Sequence, residues 1–101
     1  MLLKLGVDIS RLDHSIRSKL DEIDKILGPV TSGGEAIVTS TYEGTHSSGS
    51  LHYQNKAIDF RRPRVNEVDT LAGCTRLKIT LGPDYDVVLE ATHIHIEYDP
   101  K

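Results

Sequence analysis

Thr92-His93-Ile94-His95-Ile96-Glu97-Tyr98 alternates without a break. His93, His95 and Glu97 fall on one side of an extended chain, and Ile94, Ile96 and Tyr98 on the other. This is the pattern of a β-strand with one apolar face and one face of ionisable groups. Lys56 to Arg61 repeats it, with Ala57, Asp59 and Arg61 one way and Ile58 and Phe60 the other. Such strands set their apolar faces on a core and gather Asp59 and His95 on the opposite side of a sheet.

Working outward, Ala36 to Tyr42 is β-branched and strand-like, and Asp86 to Glu90 reads as a further strand. The Glu43 to Ser50 stretch is rich in Gly, Ser and Thr and reads as a loop. Two helices are expected. In the first, Ser10 is the expected N-cap, with Asp13 completing a box-like start. Leu12, Ile16, Leu20, Ile23 and Leu27 then form one apolar stripe, and Gly28-Pro29 is the stop. The second runs from about Arg64 to Leu81, with Val65, Val68, Ala72, Thr75 and Ile79 at helical spacing and Gly82-Pro83 as the stop. The fold class expected is α+β, a small, mainly antiparallel sheet with helices packed on one face. Residues 1–101 read as a single domain without repeats or linkers.

Hydrophobic residues make up 38% and charged residues 27%, and the net charge is -3. The charge argues against a general nucleic-acid binder, which is normally basic. Cys74 is alone, which excludes an intramolecular disulfide and a cysteine-based zinc cluster, and a buried thiol is expected. No apolar run reaches transmembrane length. The first residues lack the pattern of a signal peptide, so the expectation is a product made in the cytoplasm. Arg61, Arg62 and Arg64 read as a solvated turn or, alternatively, as a contact for a substrate carboxylate.

Four of the five histidines lie in two blocks, Thr45 to Phe60 and Glu90 to Glu97. His14 stands apart on the polar face of the first helix and reads as solvated. Histidine and carboxylate are the usual ligands of a catalytic zinc, which takes three protein ligands and keeps one position open. A single histidine reads as a satisfied polar group on a sheet face. The set His46, His52, Asp59, His93 and His95 reads as a mononuclear zinc (Zn²⁺) site. Two neutral imidazoles and one carboxylate leave a bound ion a net positive charge, which acidifies water towards neutrality.

The stretch Glu43-Gly44-Thr45-His46-Ser47-Ser48-Gly49-Ser50-Leu51-His52-Tyr53-Gln54-Asn55-Lys56-Ala57-Ile58-Asp59 resembles the zinc-binding segment of the hedgehog signalling domain. Its S-x-H-x(6)-D pattern is similar to that of the D-alanyl-D-alanine carboxypeptidase and dipeptidase family, which shares the hedgehog fold. Ala91-Thr92-His93-Ile94-His95 resembles the H-x-H strand of the same superfamily. The resemblance spans roughly Thr39 to Asp99. It implies His52, Asp59 and His95 as metal ligands, with His93 beside the site and His46 lining the cleft. It implies Glu90 as general base. Two departures stand out. Asn55 occupies a position where the peptidases commonly have Gly, and Asn is the next-best residue for a positive-φ turn. Glu90 lies five residues before His95, where the peptidases usually have three and hedgehog has six. Glu97 is therefore a competing base, or a residue that orients a ligand imidazole.

The resemblance implies a zinc peptidase, of DD-carboxypeptidase or peptidoglycan endopeptidase type, acting on short peptides that contain D-amino acids. The catalytic set would be Glu90, His93 and His46. The expected partner is a peptide or peptidoglycan substrate taken by a monomer, with no nucleic acid and no membrane span. A bacterial or phage origin, with action on the cell wall after release, would follow. The alternative implied is a non-catalytic, hedgehog-like, zinc-stabilised binding module.

Overall fold

The computed structural model describes residues 1–31, 33–44, 46, 49–63 and 66–100. Five strands form one mixed sheet: β1 (Leu2–Leu3), β2 (Ile37–Ser40), β3 (Ala57–Arg61), β4 (Tyr85–Leu89) and β5 (His93–Tyr98). Their order is β1-β2-β3-β5-β4. β1 runs parallel to β2, and the other three pairings are antiparallel. The expected α+β class, with a mainly antiparallel sheet and helices, is the observed one. β1 was not legible, because two leucines carry no alternation.

Ile58 pairs with Ile96 and Phe60 with Ile94. Antiparallel partners share a face, so these four point together into the core, all fully buried. Val38 and Val87 extend that face. Three helices cover it: α1 (His14–Arg17), α2 (Leu20–Leu27) and α3 (Glu67–Leu81).

The first helix differs from the expectation in two ways. Its cap is Asp13, not Ser10: the Asp13 carboxylate accepts from the Ser15 N–H at 3.1 Å. Ser10 lies in a turn, where its N–H donates to Asp8 at 2.8 Å and its carbonyl accepts from Arg17 at 2.8 Å. An acceptor next to the first turn outcompetes one further upstream. The helix also breaks at Ser18-Lys19 into α1 and α2. The apolar stripe survives the break, with Leu12, Ile16, Ile23 and Leu27 buried and Leu20 packed against them.

In α3 the expected face is the wrong one. Val68 and Ile79 are 75% and 76% exposed, and Ala72 and Thr75 also face solvent. Val65, with Arg64, lies outside the described residues. The buried face is Thr70, Gly73, Cys74, Leu77 and Leu81. Gly73 faces Val30 and Leu27, and a Cβ there would meet them at ordinary contact distances of 3.6 and 3.9 Å. The helix starts on Asn66, whose side chain accepts from the Asp69 N–H at 2.8 Å. Cys74 is buried, as expected, and burial pushes its thiol pKa up.

Candidate metal centre

The sheet face opposite the helices carries the ionisable groups. Asp59 pairs with His95 and Arg61 with His93, so the β3–β5 ladder alone sets these four side chains on one face. Glu97 follows His95 on that face, opposite Ala57. Asp59 is buried along with Ala57, Ile58 and Phe60, so β3 is covered on both sides rather than half-buried.

Among the described residues, the cover on the site face includes Ser40, Thr41, His46 and the Leu51–Gln54 turn. A β-bulge at Val38–Ser40 shifts the β2 register, so Ser40 rather than Thr39 lies opposite Asp59. The extra residue turns Ser40 to the site face. His52 arrives on a 3₁₀ turn, Leu51–Gln54. Ser50 caps that turn by accepting from the His52 N–H at 3.1 Å. Asn55 ends it with φ +61°, the left-handed conformation expected for this position. The serine of the S-x-H pattern is thus a cap, and Asn55 reverses the chain into β3.

Three atoms then converge. His52 Nε2 lies 3.0 Å from Asp59 Oδ1 and 3.0 Å from His95 Nδ1, and His95 Nδ1 lies 2.9 Å from Asp59 Oδ1. The far nitrogen of each ring is committed. His52 Nδ1 lies 2.7 Å from the Thr41 carbonyl, and His95 Nε2 lies 2.7 Å from Glu97 Oε1. Carbonyl and carboxylate oxygens only accept, so with a cation in the triangle each ring would keep its single proton on the outer nitrogen. The three inward atoms then all carry lone pairs. One proton serves one pair of them at a time, whereas a tetrahedral cation serves all three. The donor set therefore fits zinc. With metal–ligand bonds of about 2.0–2.1 Å and tetrahedral angles, the donors would stand about 3.3 Å apart, so the triangle opens by a few tenths of an ångström.

Burial raises the stakes. His52 is 2% and Asp59 6% exposed. In the metal-free protein, burial opposes the charge on Asp59, but hydrogen bonds from His52 and His95 outweigh it and hold the carboxyl far below its usual range. Burial likewise opposes a charge on His95, and the Asp59 and Glu97 carboxylates outweigh it and raise its pKa.

His46 stacks on His52, with ring centroids 3.8 Å apart and planes 12° apart. Its Nε2 lies 2.8 Å from the Glu43 carbonyl and 3.0 Å from Ser40 Oγ. One donor atom each from His46, His52 and Asp59 falls within 4.8 Å, so His46 is close enough to join a metal set. The tighter triangle with His95 is the better one. His46 instead backs the His52 ring, and Tyr53 holds its backbone from both sides, at 2.7 and 3.1 Å. Its neighbours Thr45, Ser47 and Ser48, part of the zinc-segment resemblance, lie outside the described residues. His93 is half-buried, with Nε2 3.7 Å from Asp59 Oδ2.

Glu90 is exposed at the β4–β5 turn. Its N–H donates to the His93 carbonyl at 2.8 Å, and its own carbonyl accepts from Arg62 at 2.9 Å. Its carboxylate makes no hydrogen bond to His52, Asp59 or His95. Arg62 is also paired with Glu67 at 3.0 Å. Sequence reading missed Thr41, Ser40 and Glu43. Thr41 acts through a backbone carbonyl, which residue type does not encode. Glu43 accepts from the Thr41 N–H and hydroxyl and from the Asp8 N–H at 2.7–2.8 Å, anchoring the loop that carries that carbonyl. Comparison of the chain with protein-family models, curated proteins and solved structures finds no match.

Proposed function

We propose that this chain is a zinc-dependent peptidase that hydrolyses short peptides. The observation that carries the reading is the triangle of His52 Nε2, Asp59 Oδ1 and His95 Nδ1, with both rings oriented from behind by acceptors. Those three atoms would hold the ion. Zinc, when bound, supplies a Lewis acid and lowers the pKa of coordinated water. The motif resemblance adds the substrate class, peptidoglycan stem or cross-link peptides containing D-amino acids.

The chain's own residues divide the remaining work. His93, beside Asp59 and partly open to solvent, donates a hydrogen bond to the oxyanion as it develops. Glu90 takes a proton from water and delivers it to the leaving amine. His46, whose Nε2 is turned to Glu43 and Ser40, lines the site and keeps the His52 ring in place.

Purified protein should contain one zinc per chain and release D-alanine or cleave muropeptides. Glu90→Gln should keep the zinc and lose about a hundredfold or more in kcat. Full activity in that variant removes Glu90 from the mechanism. A second reading, a zinc-stabilised binding module, draws on one observation: neither acid is in contact with the open side of the triangle, since Glu97 bonds the far nitrogen of His95 and Glu90 bonds none of the three. Catalytic contacts often tighten only with substrate bound, so this does not displace the first reading. Stoichiometric zinc without turnover of any cell-wall peptide would favour the second.

A further inference from the structure

The outer face of α3 is apolar and uncovered. Val68, Ala72, Thr75 and Ile79 follow at steps of four, three and four, so they form one stripe along the helix. Val68 and Ile79 are about three-quarters exposed, and Leu71, which widens the stripe, about half. The opposite face, with Cys74, Leu77 and Leu81, is buried in the core. A helix that is apolar on both faces is normally buried on both. The stripe also has charged flanks. Glu67 and Lys78, eleven residues or about three turns apart, lie on one side of it. Asp69 and Arg76, seven residues or about two turns apart, lie on the other. The acids stand in the first turn and the bases towards the end of the helix, and all four are exposed. Arg76 and Lys78 make no ion pair or side-chain hydrogen bond among the described residues. Glu67 holds Arg62 through one carboxylate oxygen at 3.0 Å, and Asp69 accepts from the Asn66 amide at 3.0 Å.

We propose that the outer face of α3 binds the same face of a second copy of this chain, with the two helices antiparallel. Charge complementarity selects this occupant. In a two-fold pair a surface meets itself, so it must be self-complementary. Antiparallel pairing sets Val68 against the partner's Ile79 and Ala72 against the partner's Thr75 along the seam. On one flank Glu67 then meets the partner's Lys78, and on the other Asp69 meets the partner's Arg76. Symmetry makes each of these pairs twice. Parallel pairing would set every charge against its own kind, which is repulsive. The helix dipole accounts for acids at the start and a base at the end, but not for bare Val68, Leu71 and Ile79 between them. The helices cover the sheet face opposite the triangle, so the pairing leaves both candidate metal centres open. A face of 15 residues is about 22 Å long, less than the roughly 800 Å² per partner of a standard interface requires. The dimer is therefore weak, with a Kd on the order of 10–100 µM. It departs from the monomer expected from the sequence and does not depend on the peptidase reading.

The test is sedimentation equilibrium of the purified chain from about 1 µM to about 1 mM, a span that brackets this affinity. The mean mass should rise from that of one chain to that of two. Val68→Ser/Ile79→Ser should weaken association at least about tenfold. Both residues face solvent in the single chain, so circular dichroism and melting of that variant in dilute solution should match the parent's. Glu67→Lys alone and Lys78→Glu alone should each weaken association about tenfold, because two attractive pairs become repulsive. Mixed in equal amounts, these two variants should associate as tightly as the parent, since each pair on that flank is again opposite in sign. A single chain at every concentration overturns the proposal and leaves the face to a different partner. A dimer that survives Val68→Ser/Ile79→Ser uses another surface, which also overturns it. Charge reversals without effect, or a mixture no tighter than either variant alone, overturn the antiparallel pairing. Should the double serine variant lose its fold, the charge reversals decide by themselves.

Discussion

His95 Nε2 lies 2.7 Å from Glu97 Oε1, two residues further along the same strand. Residues two apart on a strand are neighbours on one face, so the orienting acid comes with the candidate ligand in a three-residue run. With a cation in the triangle, the carboxylate would accept from the Nε2–H and leave Nδ1 as a lone pair for the ion. Such outer partners raise the basicity of a ligand imidazole as well as fixing its plane.

Glu97→Ala should therefore weaken zinc about 10–100-fold without unfolding the chain. Competition against a chelator of known affinity, with circular dichroism as the check on fold, measures this. Unchanged affinity would mean that the Glu97 contact is incidental.

Zinc should stabilise the fold as well as occupy it. A bound ion would tie the Leu51–Gln54 turn and β3 to β5, which lies about 30 residues further along the chain. A ligand that binds only the native state at a hundred times its Kd adds about 2.7 kcal/mol. For a domain of this size each kcal/mol moves Tm by about 4–8 °C. Chelation should thus lower Tm by about 10–20 °C, and in Asp59→Asn the melting point should no longer respond to zinc. A chelator-insensitive Tm in the native chain would remove the metal from the account.

What was legible in the sequence was the part encoded by side-chain alternation. His93, His95, Glu97 and Asp59 share a face because the strand period is two, and the β3–β5 register needs nothing more. Asn55 was legible because a positive φ narrows the choice of residue. The site's outer supports were not. The carbonyl of Thr41 is a backbone group, and the bulge that turns Ser40 inward depends on register, not residue type. The α3 face was also misjudged. Val68 and Ile79 are apolar, but the buried face is the one that carries Leu77 and Leu81, with Thr70, Gly73 and Cys74 beside them.

Two glycines separate close packing from mere space. On Gly73 a Cβ would meet Val30 at 3.6 Å and Leu27 at 3.9 Å, ordinary contact distances. Alanine there restores helix propensity, so Gly73→Ala should stabilise by about 0.5–1 kcal/mol. On Gly28 a Cβ would sit 2.9 Å from the Gly34 carbonyl oxygen, a backbone atom that cannot step aside cheaply. Gly28→Ala should destabilise. Urea unfolding of the two variants with opposite signs supports this packing, and equal signs count against it.

Glu43 gives the acid-side prediction. Burial opposes its charge, but the Thr41 and Asp8 donors outweigh it and hold the carboxyl below its ordinary value of 4.5. A group whose pKa falls on folding stabilises the native state above its unfolded pKa, and that contribution is lost as pH drops through the folded value. Glu43→Gln keeps the shape but turns an amide N–H₂ against one of the N–H donors, at Thr41 or Asp8. In metal-free protein at pH 7 the variant should be less stable by about 1–3 kcal/mol, the cost of a charged acceptor lost among buried donors. The gap should narrow as pH falls below 4.5, because the wild-type carboxyl is then being neutralised too. Denaturant curves at pH 7 and at successively lower pH read it directly. A gap that stays constant across that range would show that Glu43 holds the loop by shape and not by charge. The orientation of the His52 ring, which depends on the Thr41 carbonyl, would then not be sensitive to acid through this residue.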